Sequence, residues 1–130
     1  MTAVDTNVLV RIVTRDNKEQ AAHAVAFLEE QERVFLAKTV LLEVEWVLRS
    51  TYKYARGEVL CALRAFITLG NAEIEDAAVV VQAIDWYEQG MDFADSLHIA
   101  SAGRQHKFGS FDAALQRTAL RLGIAEVISP

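Results

Sequence analysis

The feature that most constrains this chain is its alternation of short strand-like segments with helical ones, across 130 residues whose only proline is the last. Proline removes a backbone donor and breaks helices and central strands, so nothing in the body of the chain interrupts regular structure. Ala3 and Val4 read as the end of a short strand, and a helix from about Thr6 carries Val8, Leu9 and Ile12. Asn17 and Gln20 have the spacing of a capping box, and the helix behind them sets Ala21, Ala24, Val25 and Leu28 on one face. Residues 34–37 read as a buried strand, after which Thr39 is expected to cap a helix reaching about Tyr52. A further helix from about Gly57 carries Leu60, Leu63 and Ile67 and stops at Gly70. Then come a strand over 72–75, a helix with Val80, Ala83, Ile84 and Tyr87 that stops at Gly90, and a helix over 93–107. A strand over 108–111, a helix over 112–122 with Leu115, Thr118, Ala119 and Leu122 on one face, and a strand over 125–129 complete the series. Strands alternating with helices predict a mostly parallel sheet covered on both faces. Ligands in such folds bind beyond the carboxyl ends of the strands.

The length suits a single domain over 1–130 with a real core. Hydrophobic residues at 52% and charged residues at 24% exclude a disordered chain. The one cysteine, Cys61, forbids an internal disulfide and reads as a packing residue in an apolar helix, which suits a reducing cytoplasm. Charge interrupts every apolar run before membrane-spanning length, and the chain opens on a strand with no expected signal peptide. The net charge of −5 argues against a module that holds nucleic acid by charge alone. It is compatible with a nuclease whose divalent cations reverse the local sign.

Four carboxylates stand out. Asp5 follows Val4 at the carboxyl end of a central-looking strand, where it is either a site residue or a helix N-cap. Glu43 has Val40, Trp46 and Val47 as helical neighbours, so it is expected on a buried apolar stripe, where a lone carboxylate is costly. Glu45 serves as a control, because Arg49 four residues on offers it an ordinary surface ion pair. Asp95 falls in the first turn of its helix behind Asp92, which reads as the N-cap. Asp112 stands where the strand over 108–111 hands over to a helix, with Ser110 just before it.

The other chemistry-bearing residues point nowhere else. His98 can reach Asp95 one turn earlier, while His23 and His106 read as exposed helix residues. No histidine pair has zinc spacing, and there is neither a glycine-rich phosphate loop nor a nucleophile elbow. An oxygen-only, acid-rich set suits Mg²⁺ or Mn²⁺. The reaction such a set serves best is attack on a phosphodiester by metal-activated water.

At this point the chain resembles PIN-domain proteins of the VapC/FitB-like toxin type. The resemblance rests on Val4-Asp5-Thr6-Asn7-Val8-Leu9-Val10-Arg11, on Leu42-Glu43-Val44-Glu45-Trp46-Val47-Leu48-Arg49, on Phe93-Ala94-Asp95-Ser96-Leu97-His98-Ile99-Ala100 and on Ser110-Phe111-Asp112. It implies a three-layer α/β/α sandwich with a central, mostly parallel sheet. It implies a catalytic, metal-holding quartet of Asp5, Glu43, Asp95 and Asp112, with Thr6, Asn7 and Ser110 as helpers. It further implies Mg²⁺- or Mn²⁺-dependent endoribonuclease cleavage, a small cognate antitoxin and a homodimer.

Arg11, Lys38 and Arg49, with Lys53, Arg104 and Lys107, are candidates for phosphate contact, each equally readable as a solvated helix-face charge. Three rival readings stay open. A phosphatase would use Asp5 as its nucleophile but usually wants a second Asp where Asn7 stands. A receiver-like module needs adjacent acids after the first strand and a lysine after the last. The third is a PIN fold that binds a partner without cutting.

Overall fold

The computed structural model describes residues 1–130, which pack as two compact units, Met1–Ala77 and Ala78–Pro130. The first holds β1 (Thr2–Ala3), α1 (Thr6–Thr14), α2 (Lys18–Glu30), β2 (Val34–Leu36), α3 (Lys38–Ser50), α4 (Arg56–Ile67) and β3 (Ala72–Ile74). Its strands run parallel in the order β1-β2-β3, with Thr2 opposite Val34 and Leu36 opposite Ile74. The middle strand of this sheet is therefore β2, with Val34 and Leu36 fully buried, and β1 takes an outer place. Parallel neighbours require a crossover; α1 and α2 supply it from β1 to β2, and α3 and α4 from β2 to β3. Leu9, Leu41, Val44, Leu48, Val59 and Leu63 fill the core of this unit.

The second unit is made by α5 (Ala77–Glu88), α6 (Phe93–Ala102), β4 (Phe108–Gly109), α7 (Ala113–Leu122) and β5 (Val127–Ile128), with β4 and β5 parallel. Trp86, Met91, Ile99, Leu115, Ala119 and Ile124 form one apolar cluster there. The ring of Tyr87 meets that of Phe93 edge-on at 5.4 Å.

Three expectations need correction. The helix over 93–107 stops at Ala102, because Gly103 takes a positive φ of 89° and its N–H closes on the Ile99 carbonyl. A side chain there would strain the backbone and meet Gln105, so the glycine ends the helix five residues early. Cys61 is exposed, because α4 buries Val59, Leu63 and Phe66 on another face. Thr39 does not cap α3. The cap position is Ala37, which has no acceptor of its own, and the Lys38 N–H instead donates to Glu75 Oε1 at 2.8 Å. Glu75 follows β3, so the parallel pairing of β2 with β3 delivers a carboxylate to the positive end of α3 from 37 residues away. Glu75→Ala is expected to cost about 1 kcal/mol, as loss of a helix cap does. An unchanged denaturation midpoint would show that Glu75 does not act as the cap.

No helix is long and apolar enough to cross a membrane.

Candidate active site

Asp5 is the N-cap of α1. Its backbone is extended, and Oδ1 accepts the Thr6 N–H at 2.7 Å. The capping reading is thus correct for one carboxylate oxygen of an exposed side chain. Thr6 is buried, and Asn7 faces solvent. On the other side of the sequence motif, Val4 enters the core and fixes where the strand ends.

The expectation for Glu43 is overturned. Glu43 is exposed, and the buried carboxylate of α3 is Glu45, only 2% accessible. Two stripes compete on this helix. Val40, Glu43 and Val47 make one, and Leu41, Val44 and Leu48 make the other at the same spacing without an acid among them. The wholly apolar stripe goes inward, and Glu45 lies beside it. Arg49 answers that buried charge, its Nε donating to Glu45 Oε2 at 2.8 Å. Glu45 is therefore no surface control, and Glu43 is an acid directed to solvent from the face that also presents Trp46.

Asp95 and Asp112 lie in the second unit. Asp92 caps α6, its Oδ2 accepting the Asp95 N–H at 3.1 Å, and its carbonyl accepts the hydroxyl of the fully buried Ser96 at 2.8 Å. This places Asp95 in the first turn, half-buried. Burial pushes its carboxyl above the ordinary value of 3.8, and the Asp92 and Asp112 carboxylates push it the same way, against a smaller opposing effect of His98. Asp112 caps α7, with Oδ1 accepting the N–H groups of Ala114 at 2.8 Å and Leu115 at 3.1 Å. Its own N–H donates to Ser110 Oγ at 3.0 Å, and the Ser110 carbonyl accepts from Gln116 at 2.9 Å. Asp112 is thus held in one orientation before any ligand arrives.

The four acids fall two in each unit. Asp5 and Glu43 stand on α1 and α3, which pack together, while the Asp112 charge acts on Asp95. Asp92, read from the sequence as a cap alone, also belongs to this electrostatic group. Neither unit gathers three acidic, histidine or cysteine side chains into a closed metal-binding cluster. Carboxylate oxygens are the hard donors that Mg²⁺ and Mn²⁺ take, and Asp95 in the second unit carries a penalty that a cation would relieve.

Four of the six cations expected to meet phosphate have acidic partners, Lys107 through Glu126 at 3.6 Å. Arg49 holds Glu45, and Lys38 Nζ meets Asp76 at 2.7 Å. Arg11 Nη1 meets Asp16 at 2.9 Å, and its Nε donates to Gln20 at 2.8 Å. Tyr52 completes this last network, donating to Asp16 Oδ2 at 2.8 Å. The Tyr52 hydroxyl, and then Arg11 and Thr14, hold the Asp16 carboxyl below 3.8. A lowered carboxyl stabilises the fold above pH 3.8 and loses that contribution as pH falls through its depressed folded value. Tyr52→Phe is expected to move the Asp16 titration, followed by NMR, back toward 3.8. An unmoved titration would contradict the assignment.

A cavity of about 550 Å³ along α2 is lined by Ala21, Ala22, Val25 and Ala26 with Arg15, Lys18 and Glu29 at its margins, and holds none of the four acids.

The PIN-domain family model matches residues 2–126, so this chain belongs to the PIN domain family. Its fold is the α/β fold of that family, with seven helices and parallel strands. PIN domains are generally nucleases and typically use divalent metal ions. Searches for similar curated proteins and for similar solved structures each found no match.

Proposed function

We propose that this chain is a Mg²⁺- or Mn²⁺-dependent endoribonuclease, the toxin of a type II toxin–antitoxin pair of the VapC/FitB-like kind, acting in the cytoplasm as a homodimer. The observation that carries the nuclease reading is Asp95, half-buried and pressed by two neighbouring carboxylates. A cation at this carboxyl would relieve both the burial and the repulsion. Family membership supports the same reading.

On the family resemblance, Asp5 and Glu43 in the first unit and Asp95 and Asp112 in the second would be the metal-holding acids. Bound Mg²⁺ or Mn²⁺ supplies an acidified water for attack and positive charge for the phosphate. The protein's part is orientation. Thr6 N–H fixes one oxygen of Asp5, the first turn of α7 fixes one oxygen of Asp112, and Ser110 steadies the Asp112 backbone. The toxin role rests on the resemblance alone. Its partner would be a small antitoxin whose C-terminal segment fills the acidic groove, often through an arginine.

Controlled expression followed by sequencing of cleaved RNA ends tests this reading. New ends at a defined site, absent with Asp5→Asn and suppressed by the product of a small upstream open reading frame, are expected. A trapped phosphoaspartate on Asp5 would favour the phosphatase instead, and a solitary gene whose overexpression leaves growth unchanged would remove the toxin role.

A further inference from the structure

The aromatic side chains divide into two groups. Phe66, Trp86, Tyr87 and Phe93 are in the core and Phe27, Trp46 and Phe111 are exposed, with the remaining four half-buried between these two groups. Two of the exposed three stand beside an acid assigned above. Trp46 is three residues beyond Glu43 on α3, so the two share a helix face, and its indole is 56% accessible. In the second unit Phe111 immediately precedes Asp112 and is 81% accessible. Core packing accounts for neither ring.

The charges explain what such rings could supply. The chain carries a net −5, and Arg11, Lys38 and Arg49 are each paired with a carboxylate. Phosphate attraction through these three side chains is therefore blunted, which favours contacts that need no charge. Unpaired bases stack on exposed aromatic faces without any need for charge.

We propose that Trp46 is a stacking platform for an unpaired base of the RNA substrate, next to the phosphate that Glu43 serves, and that Phe111 plays the same part beside Asp112. The inference rests on the nuclease reading and adds binding residues to it. It accounts for an exposed tryptophan on the same helix face as an exposed glutamate, with Val40 and Val47 half-buried around them.

Tryptophan emission tests it directly. The chain has two tryptophans, and Trp86 is only 4% accessible, so direct quenching by a stacked base reports on Trp46. The Asp5→Asn protein, expected not to cleave, is titrated in Mg²⁺ with a short single-stranded oligoribonucleotide. Emission should fall, the fall should vanish in Asp5→Asn/Trp46→Phe, and a fully paired RNA duplex should leave emission unchanged. In the otherwise native protein, Trp46→Ala should raise KM about tenfold with kcat nearly unchanged, and Trp46→Phe should recover most of the loss.

Emission indifferent to single-stranded RNA, or an unchanged KM in Trp46→Ala, would overturn the platform. Emission that instead changes on dilution without RNA would assign this face to a second copy of the chain and would also overturn it. The two readings separate cleanly. If the native protein cleaves RNA and Trp46→Ala keeps its KM, the platform falls and the nuclease stands. If the native protein cleaves nothing while the probe still quenches Trp46, the nuclease falls and the platform stands.

Discussion

Asp95→Asn should leave the metal-free protein more resistant to heat than the native chain, yet unable to cut RNA. The two effects have one cause. Burial first, and then Asp92 and Asp112, make the ionised Asp95 carboxyl unfavourable in the folded state. A carboxyl raised by folding destabilises the protein once it must ionise. Below the ordinary value of 3.8 there is no penalty. As pH rises from there through the higher folded value the penalty grows, and above that value it is complete. Asparagine has nearly the same shape and no charge, so the gap in melting temperature between variant and native protein should open over that interval and persist at neutral pH. Mg²⁺ should narrow it by stabilising the native chain more than the variant. Cleavage should fall at least about 100-fold, since a proposed metal ligand is lost. A variant that melts lower at neutral pH without metal would contradict the account of Asp95.

Arg49→Ala should be among the most destabilising single changes to a half-exposed residue of this chain, at about 3 kcal/mol. Its guanidinium is half exposed, but the carboxylate it meets is not. Removing one partner of such a pair strands a charge in the core, which costs far more than an exposed pair contributes. Arg49→Lys should recover part of the loss, because it restores the charge but not the planar fork. Glu45→Gln should cost less than Arg49→Ala, since it removes the buried charge itself. Urea denaturation checks all three. If Arg49→Ala lost RNA affinity at unchanged stability, the phosphate-contact reading of Arg49 would replace the structural one.

Much of the fold was legible in the sequence because its signals are local. The face predicted for α5 is buried throughout, those of α2 and α7 bury Ala21, Ala24, Leu28, Leu115 and Ala119 but leave Val25, Thr118 and Leu122 half-buried, and Asn17, Asp92 and Gly123 sit at helix ends as their chemistry requires. The resemblance to PIN domains also anticipated the family. What was not legible depends on distant partners. Glu75 caps α3 only because β3 lies beside β2. Asp16 and Tyr52, 36 residues apart, meet through tertiary packing.

The error at Glu43 is of another kind. Two stripes of similar apolarity were present on one helix, and the choice between them was readable. Leu41, Val44 and Leu48 contain no acid, and Arg49 lies within reach of Glu45. The argument from a buried, unpaired Glu43 therefore disappears. The physical case for the proposed site now rests on Asp95, with Asp5 and Asp112 as caps that each use Oδ1 for their helix.

The central claim is metal-dependent cleavage of RNA by these acids. Its most direct measurement is cleavage of single-stranded RNA by the purified chain with Mg²⁺, with Mn²⁺ and with excess chelator, beside Asp5→Asn and Glu43→Gln. The account predicts cleavage with either metal, none with chelator, and none from either variant although both remain folded. Undiminished cleavage in excess chelator, or full activity in the Asp5→Asn protein, would contradict it.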